Sequence, residues 1–147
     1  MRLTIHTDYA LRVLLYLAAH PDQQASTEEI STAYGISLNH LVKVVHELGR
    51  HGYLDTKRGR GGGIMLAKPP EEIVIGNVVR DMEPDFFLVE CFRDDNKCVI
   101  TPNCRLAGVI TKAFNAFRQV LDATTLADVV RDKDQAPLRA LLDGLHQ

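Results

Sequence analysis

Apolar residues recur along most of this chain with the period of an α-helix, and only once with that of paired short strands. Tyr9, Leu11, Val13, Leu14, Leu15, Leu17 and Ala18 form one broad apolar face, predicting a first helix that Pro21 stops. Leu3 to Ile5 reads as a short extended segment. Thr7 reads as the N-cap, with Asp8 at the positive end of the helix. Ser26 or Thr27, followed by Glu28 and Glu29, starts a second helix with Ile30 and Ala33 inward. Tyr34-Gly35 ends it, because glycine tolerates the left-handed cap. A third helix, capped by Ser37 and running to about His51, is expected to bury Leu38, Leu41, Val42, Val45 and Leu48.

Beyond Gly52 the pattern changes. Tyr53 to Lys57 and Ile64 to Ala67 read as two strands around the turn Arg58-Gly59-Arg60-Gly61-Gly62-Gly63. Two short helices joined by a tight turn and followed at once by a hairpin make a winged helix-turn-helix. Pro69-Pro70 marks a boundary, Glu71 to Val74 is expected to be extended, and Ile75 to Met82 a short helix closed by Pro84. Residues 85–103 look irregular. From about Cys104 a long helix carries a wide apolar stripe: Leu106, Val109, Ile110, Ala113, Phe114, Phe117, Val120 and Leu121. Such a stripe needs a partner, either a second copy of the chain or another part of the same one. Thr124 or Thr125 caps a last short helix through Val130. The tail is expected to be loose outside a helix at Pro137 to Leu145.

The expected fold is therefore mainly α with a small β-hairpin: a winged helix-turn-helix domain plus a long C-terminal dimerisation helix. Residues 1–68 form the DNA-binding domain and 69–103 the connector and cysteine loop. Residues 104–130 supply the dimerisation helix and its short capping helix, and 131–147 a polar tail.

Composition narrows the class. The 147 residues are 46% hydrophobic and 24% charged, which suits a globular protein and not a disordered one. No stretch approaches the roughly 18–20 uninterrupted apolar residues of a membrane span, and the N-terminal run is amphipathic with no cleavage site, so a cytoplasmic protein is expected. A net charge of −2 does not itself suggest a nucleic-acid partner. Its distribution does: Lys43, Arg50, Lys57, Arg58, Arg60 and Lys68 face only Glu47 and Asp55 between positions 37 and 68.

Within that basic segment, Asn39, His40 and Lys43 lie near the start of the third helix, where a recognition helix meets base edges and phosphates. On the wing, Arg60 between glycines suits the narrow minor groove, with Lys57 and Arg58 on phosphates. Two arginines interleaved with four glycines exceed what a turn requires, which favours the DNA reading over a plain hairpin. The glycine run lacks the ending of a nucleotide phosphate loop and lies between strands. With no CxxC and no evident Ser/His/Asp arrangement, nothing points to an enzyme.

The chain has three cysteines, Cys91, Cys98 and Cys104, all within fourteen positions. Their spacing is not that of a zinc or redox CxxC pair. Three thiolates in an irregular segment suit one soft metal centre, such as an iron–sulfur cluster, with the positive end of the long helix favouring anionic sulfur at Cys104. A cubane cluster needs a fourth ligand from elsewhere. Zinc held by the three cysteines and a histidine or carboxylate, or three cysteines of no consequence, are the other readings.

The stretches MRLTIHTDYALRVLLYLA, ISLNHLVKVVHELGRHGYL, RGRGGGIMLAKP, IGNVVRDMEP, LVECF, ITPNCRL and TLADV together resemble the iron–sulfur winged-helix regulators over Met1 to about Val130. Within that family they are most similar to the nitric-oxide-sensitive branch. The resemblance implies a homodimer paired through the long helix on a palindromic double-stranded operator. It implies a 4Fe–4S cluster on Cys91, Cys98 and Cys104, nitric oxide as the signal, and Asp8 of the partner subunit as fourth ligand. The branch that senses cluster supply uses a histidine after the third cysteine; here Cys104 is followed by Arg-Leu-Ala-Gly.

Overall fold

The computed structural model describes residues 2–21, 23–57, 59, 62–130 and 132–144. Helix α1 (Ile5–Ala19) is central, and its residues Ala10, Val13, Leu14 and Leu17 are buried. It begins earlier than the pattern suggests. Thr4, not Thr7, is the N-cap, and its hydroxyl accepts the Thr7 N–H at 3.3 Å. The reason lies far along the chain: the Glu83 carboxylate accepts the Thr4 N–H at 3.0 Å and also binds the hydroxyls of Thr4 and the fully buried Thr7. Thr7 is thereby committed to Glu83, and Ile5 is helical instead of extended.

Helix α2 (Thr27–Tyr34) starts at Ser26, whose hydroxyl accepts the Glu29 N–H while the Glu29 carboxylate accepts the Ser26 N–H. Gly35, at φ 62°, turns the chain into α3 (Leu38–Arg50). The buried face of α3 is Leu41, Val44 and Leu48. Leu38 and Val42, expected inside, are exposed, and Val45 is half-buried. The same spacing of three and four runs through both sets. Contact with α1 selects the one that includes Val44.

Strands β1 (Leu54–Lys57) and β2 (Gly63–Leu66) pair antiparallel, Leu54 opposite Leu66 and Lys57 opposite Gly63. The hairpin is anchored at Ile64, which exchanges two backbone hydrogen bonds with Ala25 at 2.8 and 3.1 Å. A 3-10 turn at Pro70–Glu72 takes the first half of the segment expected to be extended, while Ile73 and Val74 are extended, Val74 bridging Thr125, and lead into α4 (Ile75–Met82). Two further 3-10 turns, Glu90–Phe92 and Thr101–Asn103, punctuate the cysteine loop.

Helix α5 (Arg105–Asp122) buries none of its residues fully. Phe114 rests on Phe86 at 5.6 Å, and Arg80 of α4 pairs with Asp122 at 2.5 Å. Leu106, Val109 and Val120 are more than 60% exposed. Its end returns to the core: Leu126, first residue of α6 (Leu126–Val129), donates its N–H to Ile73 at 2.8 Å, and both side chains are fully buried. The tail differs from expectation. Helix α7 (Asp132–Gly144) forms and docks on α1, with Leu142 buried, Arg139 donating to the Ala19 carbonyl, and Asp143 3.4 Å from His20. Among the described residues no helix is long and apolar enough to cross a membrane.

Replacing Glu83 by alanine removes charge-assisted hydrogen bonds to the start of α1 and is expected to cost about 2 kcal/mol. Urea unfolding of Glu83→Ala measures it; unchanged stability would show that Thr4 caps α1 unaided.

Candidate DNA interface and cysteine loop

Burial of Leu41, Val44 and Leu48 turns the opposite face of α3 to solvent. At 3.6 residues per turn that face carries Asn39, Lys43, His46 and Arg50, with Val42 at its edge, and all are exposed. Asn39 and Lys43 lie one turn apart. His46 and Arg50 repeat them seven residues on, so four polar or cationic side chains form one ridge. The sequence reading counted Arg50 only among the cations of the basic segment and missed His46, although a helical projection from Asn39 and Lys43 places both on the ridge. His40 is exposed beside that ridge, and with Lys43 it lines a cleft against α1 that Ile5, His6 and Tyr9 also line. The acid of this helix, Glu47, faces His6 at 3.4 Å and leaves the outward ridge without a carboxylate.

The wing rises from the end of the same helix. Lys57 is exposed at its upper edge, while Arg58 and Arg60 lie outside the described residues. Its glycines have reasons of their own. A Cβ on Gly63 would meet the Ala25 carbonyl oxygen at 2.9 Å, and Gly59 has φ 104°. Thus the glycine content reflects turning and close approach more than the sequence argument allowed. At the base, the Tyr53 hydroxyl donates to Asp81 of α4 at 2.5 Å, and the Lys68 ammonium lies 5.6 Å from the Tyr53 ring centre. Burial, followed by the bond to Asp81, pushes the Tyr53 phenol strongly up and keeps it a donor.

Asp8 lies in the first turn of α1 and pairs with Arg12 at 2.8 Å. The Arg12 guanidinium lies 5.9 Å from both the Tyr9 and Tyr34 ring centres, which links Asp8 to the end of α2. Burial pushes the Tyr34 phenol up to about 12, with Arg12 pulling the other way. The Asp8 carboxylate is about half exposed, so another cation can reach it.

The cysteines occupy one loop between α4 and α5. All three are free and half-buried. Cys91 lies in the first 3-10 turn. The Cys98 N–H is held by the Asn96 side chain at 2.9 Å, and its carbonyl accepts from Thr101 at 3.2 Å. Cys104 is the N-cap residue of α5, and its side chain makes no capping hydrogen bond. Glu90 accepts the Lys97 N–H at 3.2 Å and closes the loop between Cys91 and Cys98. Among the described residues no three histidine, cysteine, aspartate or glutamate side chains converge as a metal site. The donor set therefore fits a soft metal by its chemistry, three uncommitted thiols, while the chain's own geometry does not gather them.

The Rrf2 family, described as an iron-dependent transcriptional regulator, matches residues 3–132. The chain is 53% identical to the HTH-type transcriptional regulator NsrR of Geobacillus kaustophilus, over 97% of each chain. It is 51% identical to that of Bacillus subtilis, over 91% of this chain and 93% of the other. The solved structure of T. potens IscR superposes with a TM-score of 0.74 at 25% identity, covering 92% of this chain and 90% of that one.

Gly63→Ala is expected to push the wing off the Ala25 strand-like contact at a cost of about 1–2 kcal/mol. Amide hydrogen exchange at Ala25 and Ile64 should quicken in that variant; unchanged protection would mean the wing is not held there.

Proposed function

We propose a function from one premise: the chain belongs to the Rrf2 family of transcriptional regulators, so it is a DNA-binding regulator and not an enzyme. It acts in the cytoplasm as a homodimeric repressor that holds a palindromic operator through two copies of α3 and the wing, and nitric oxide releases it. Asn39, His40 and Lys43 contact bases or phosphates, Lys57 and Arg58 phosphates, and Arg60 the minor groove. Cys91, Cys98 and Cys104 would hold a 4Fe–4S cluster, with the partner subunit's Asp8 as the fourth ligand.

One observation carries this reading. Cys104 begins α5, and α5 is the helix whose apolar face is left uncovered. Whatever the cysteines hold therefore sits at the root of the surface best suited to a second copy. Bound there, the cluster supplies iron sites at which nitric oxide competes with protein ligands.

The chain's own groups explain how that competition reaches DNA. A carboxylate is a weaker ligand for such iron than a thiolate, so Asp8 would be the ligand most readily released. Arg12, 2.8 Å away on the same helix, would pair with the free carboxylate. Helix α1 carries Asp8 and packs on α3, so freeing Asp8 frees the reading head from the partner's loop. Both half-sites are engaged only when the α3 helices stand roughly 34–36 Å apart. A preference of about 3 kcal/mol for that spacing changes affinity more than a hundredfold.

Operator affinity measured anaerobically for cluster-loaded, nitric-oxide-treated and metal-free protein tests this. The loaded form should bind more than a hundredfold tighter than either other form, and equal affinities would end the sensing claim. Asp8→Ala should fold normally, because the half-exposed pair with Arg12 contributes under about 1 kcal/mol. It should nonetheless bind as weakly as the treated protein.

A further inference from the structure

The outward side of α3 carries an apolar pair that the core does not use. Leu38 and Val42 stand one turn apart and are 41% and 51% exposed. Leaving each in water forgoes part of the roughly 1.5–3 kcal/mol that full burial brings. One exposed aliphatic residue needs no explanation. Two on successive turns, flanked by Asn39 and Lys43 at the next positions, form an apolar strip running beside a hydrogen-bonding one.

The chemistry of that pairing selects its partner. A protein partner would have to accommodate Lys43, His46 and Arg50 beside the strip, with Glu47 turned away to His6. A phosphate backbone complements those charges directly. In the major groove the base edges offer hydrogen-bonding atoms and one apolar group, the C5-methyl of thymine. Leu38 is the first residue of the helix, and the first turns of a recognition helix reach deepest.

We propose that Val42 and Leu38 read thymine methyl groups in each operator half-site, beside the bases or phosphates that Asn39 and Lys43 hold. This rests on the reading of α3 as the groove-entering helix, and deepens it from DNA in general to thymine at set positions.

The test uses the full-length protein, purified anaerobically, and a duplex it selects from a randomised pool. Each thymidine of that duplex is replaced in turn by deoxyuridine, which lacks only the methyl. At one or more half-site positions the wild type should bind about fourfold more weakly, the worth of one buried methyl group. Val42→Ala or Leu38→Ala should bind the thymidine duplex more weakly and lose most of the uracil penalty. Both positions are exposed and alanine favours helix, so circular dichroism should be unchanged. A selected duplex in which every uracil is tolerated within twofold overturns this inference while leaving DNA binding intact. So does a penalty of equal size in wild type and both variants, which would assign it to duplex shape. Failure to select any sequence removes the groove-entering reading and this inference with it.

Discussion

Helix α1 is covered on both flanks, and that burial is the constraint on which the rest of the structure depends. It meets α3 and β2 of the reading head, and also α4, α6 and α7. Its first turn is held by Glu83 from beyond α4, and its last by Arg139 and Asp143 from the tail. With side chains such as Val13 and Leu14 fully buried, α1 has little freedom to slide independently of either group.

This arrangement gives the surface features a common logic. Asp8 sits on the part of α1 left accessible, Asn39 and Lys43 on the far side of the helix packed against it, and Cys104 at the start of the one long helix that leaves its apolar face open. The wing is tied to the head through Ala25 and to α4 through Tyr53 and Asp81. Under the proposed function a change in what holds Asp8 would reach the reading head through the contact of α1 with α3.

Local chemistry was legible in the sequence, and distant partners were not. The Ser26–Glu29 box, the Gly35 turn, the hairpin, and the Ile75–Met82 helix follow from neighbouring residues and appear as expected. Thr7 was mistaken for a cap because the group that occupies it lies 76 positions away. Leu38 and Val42 were placed inside because a three-and-four spacing admits two overlapping faces, and only the position of α1 chooses between them. The tail helix depends on Ala19, 120 positions from Arg139. In the candidate site, the exposure of Asn39, His40 and Lys43 could be read from periodicity, whereas the cleft that His40 and Lys43 share with α1 could not. The cysteines were legible as a donor set through residue type and clustering. Under the proposed function their gathering would depend on a bound centre and a second chain, which a single chain's contacts do not encode.

The account stands on a cluster held by Cys91, Cys98, Cys104 and the partner subunit's Asp8. Its most direct test is iron and acid-labile sulfide content, with a visible spectrum, of protein purified anaerobically and then exposed to nitric oxide. The account predicts a brown protein with about four irons and four sulfides per chain, bleached by nitric oxide. A colourless protein that holds zinc or no metal, yet recognises its operator normally, would contradict it.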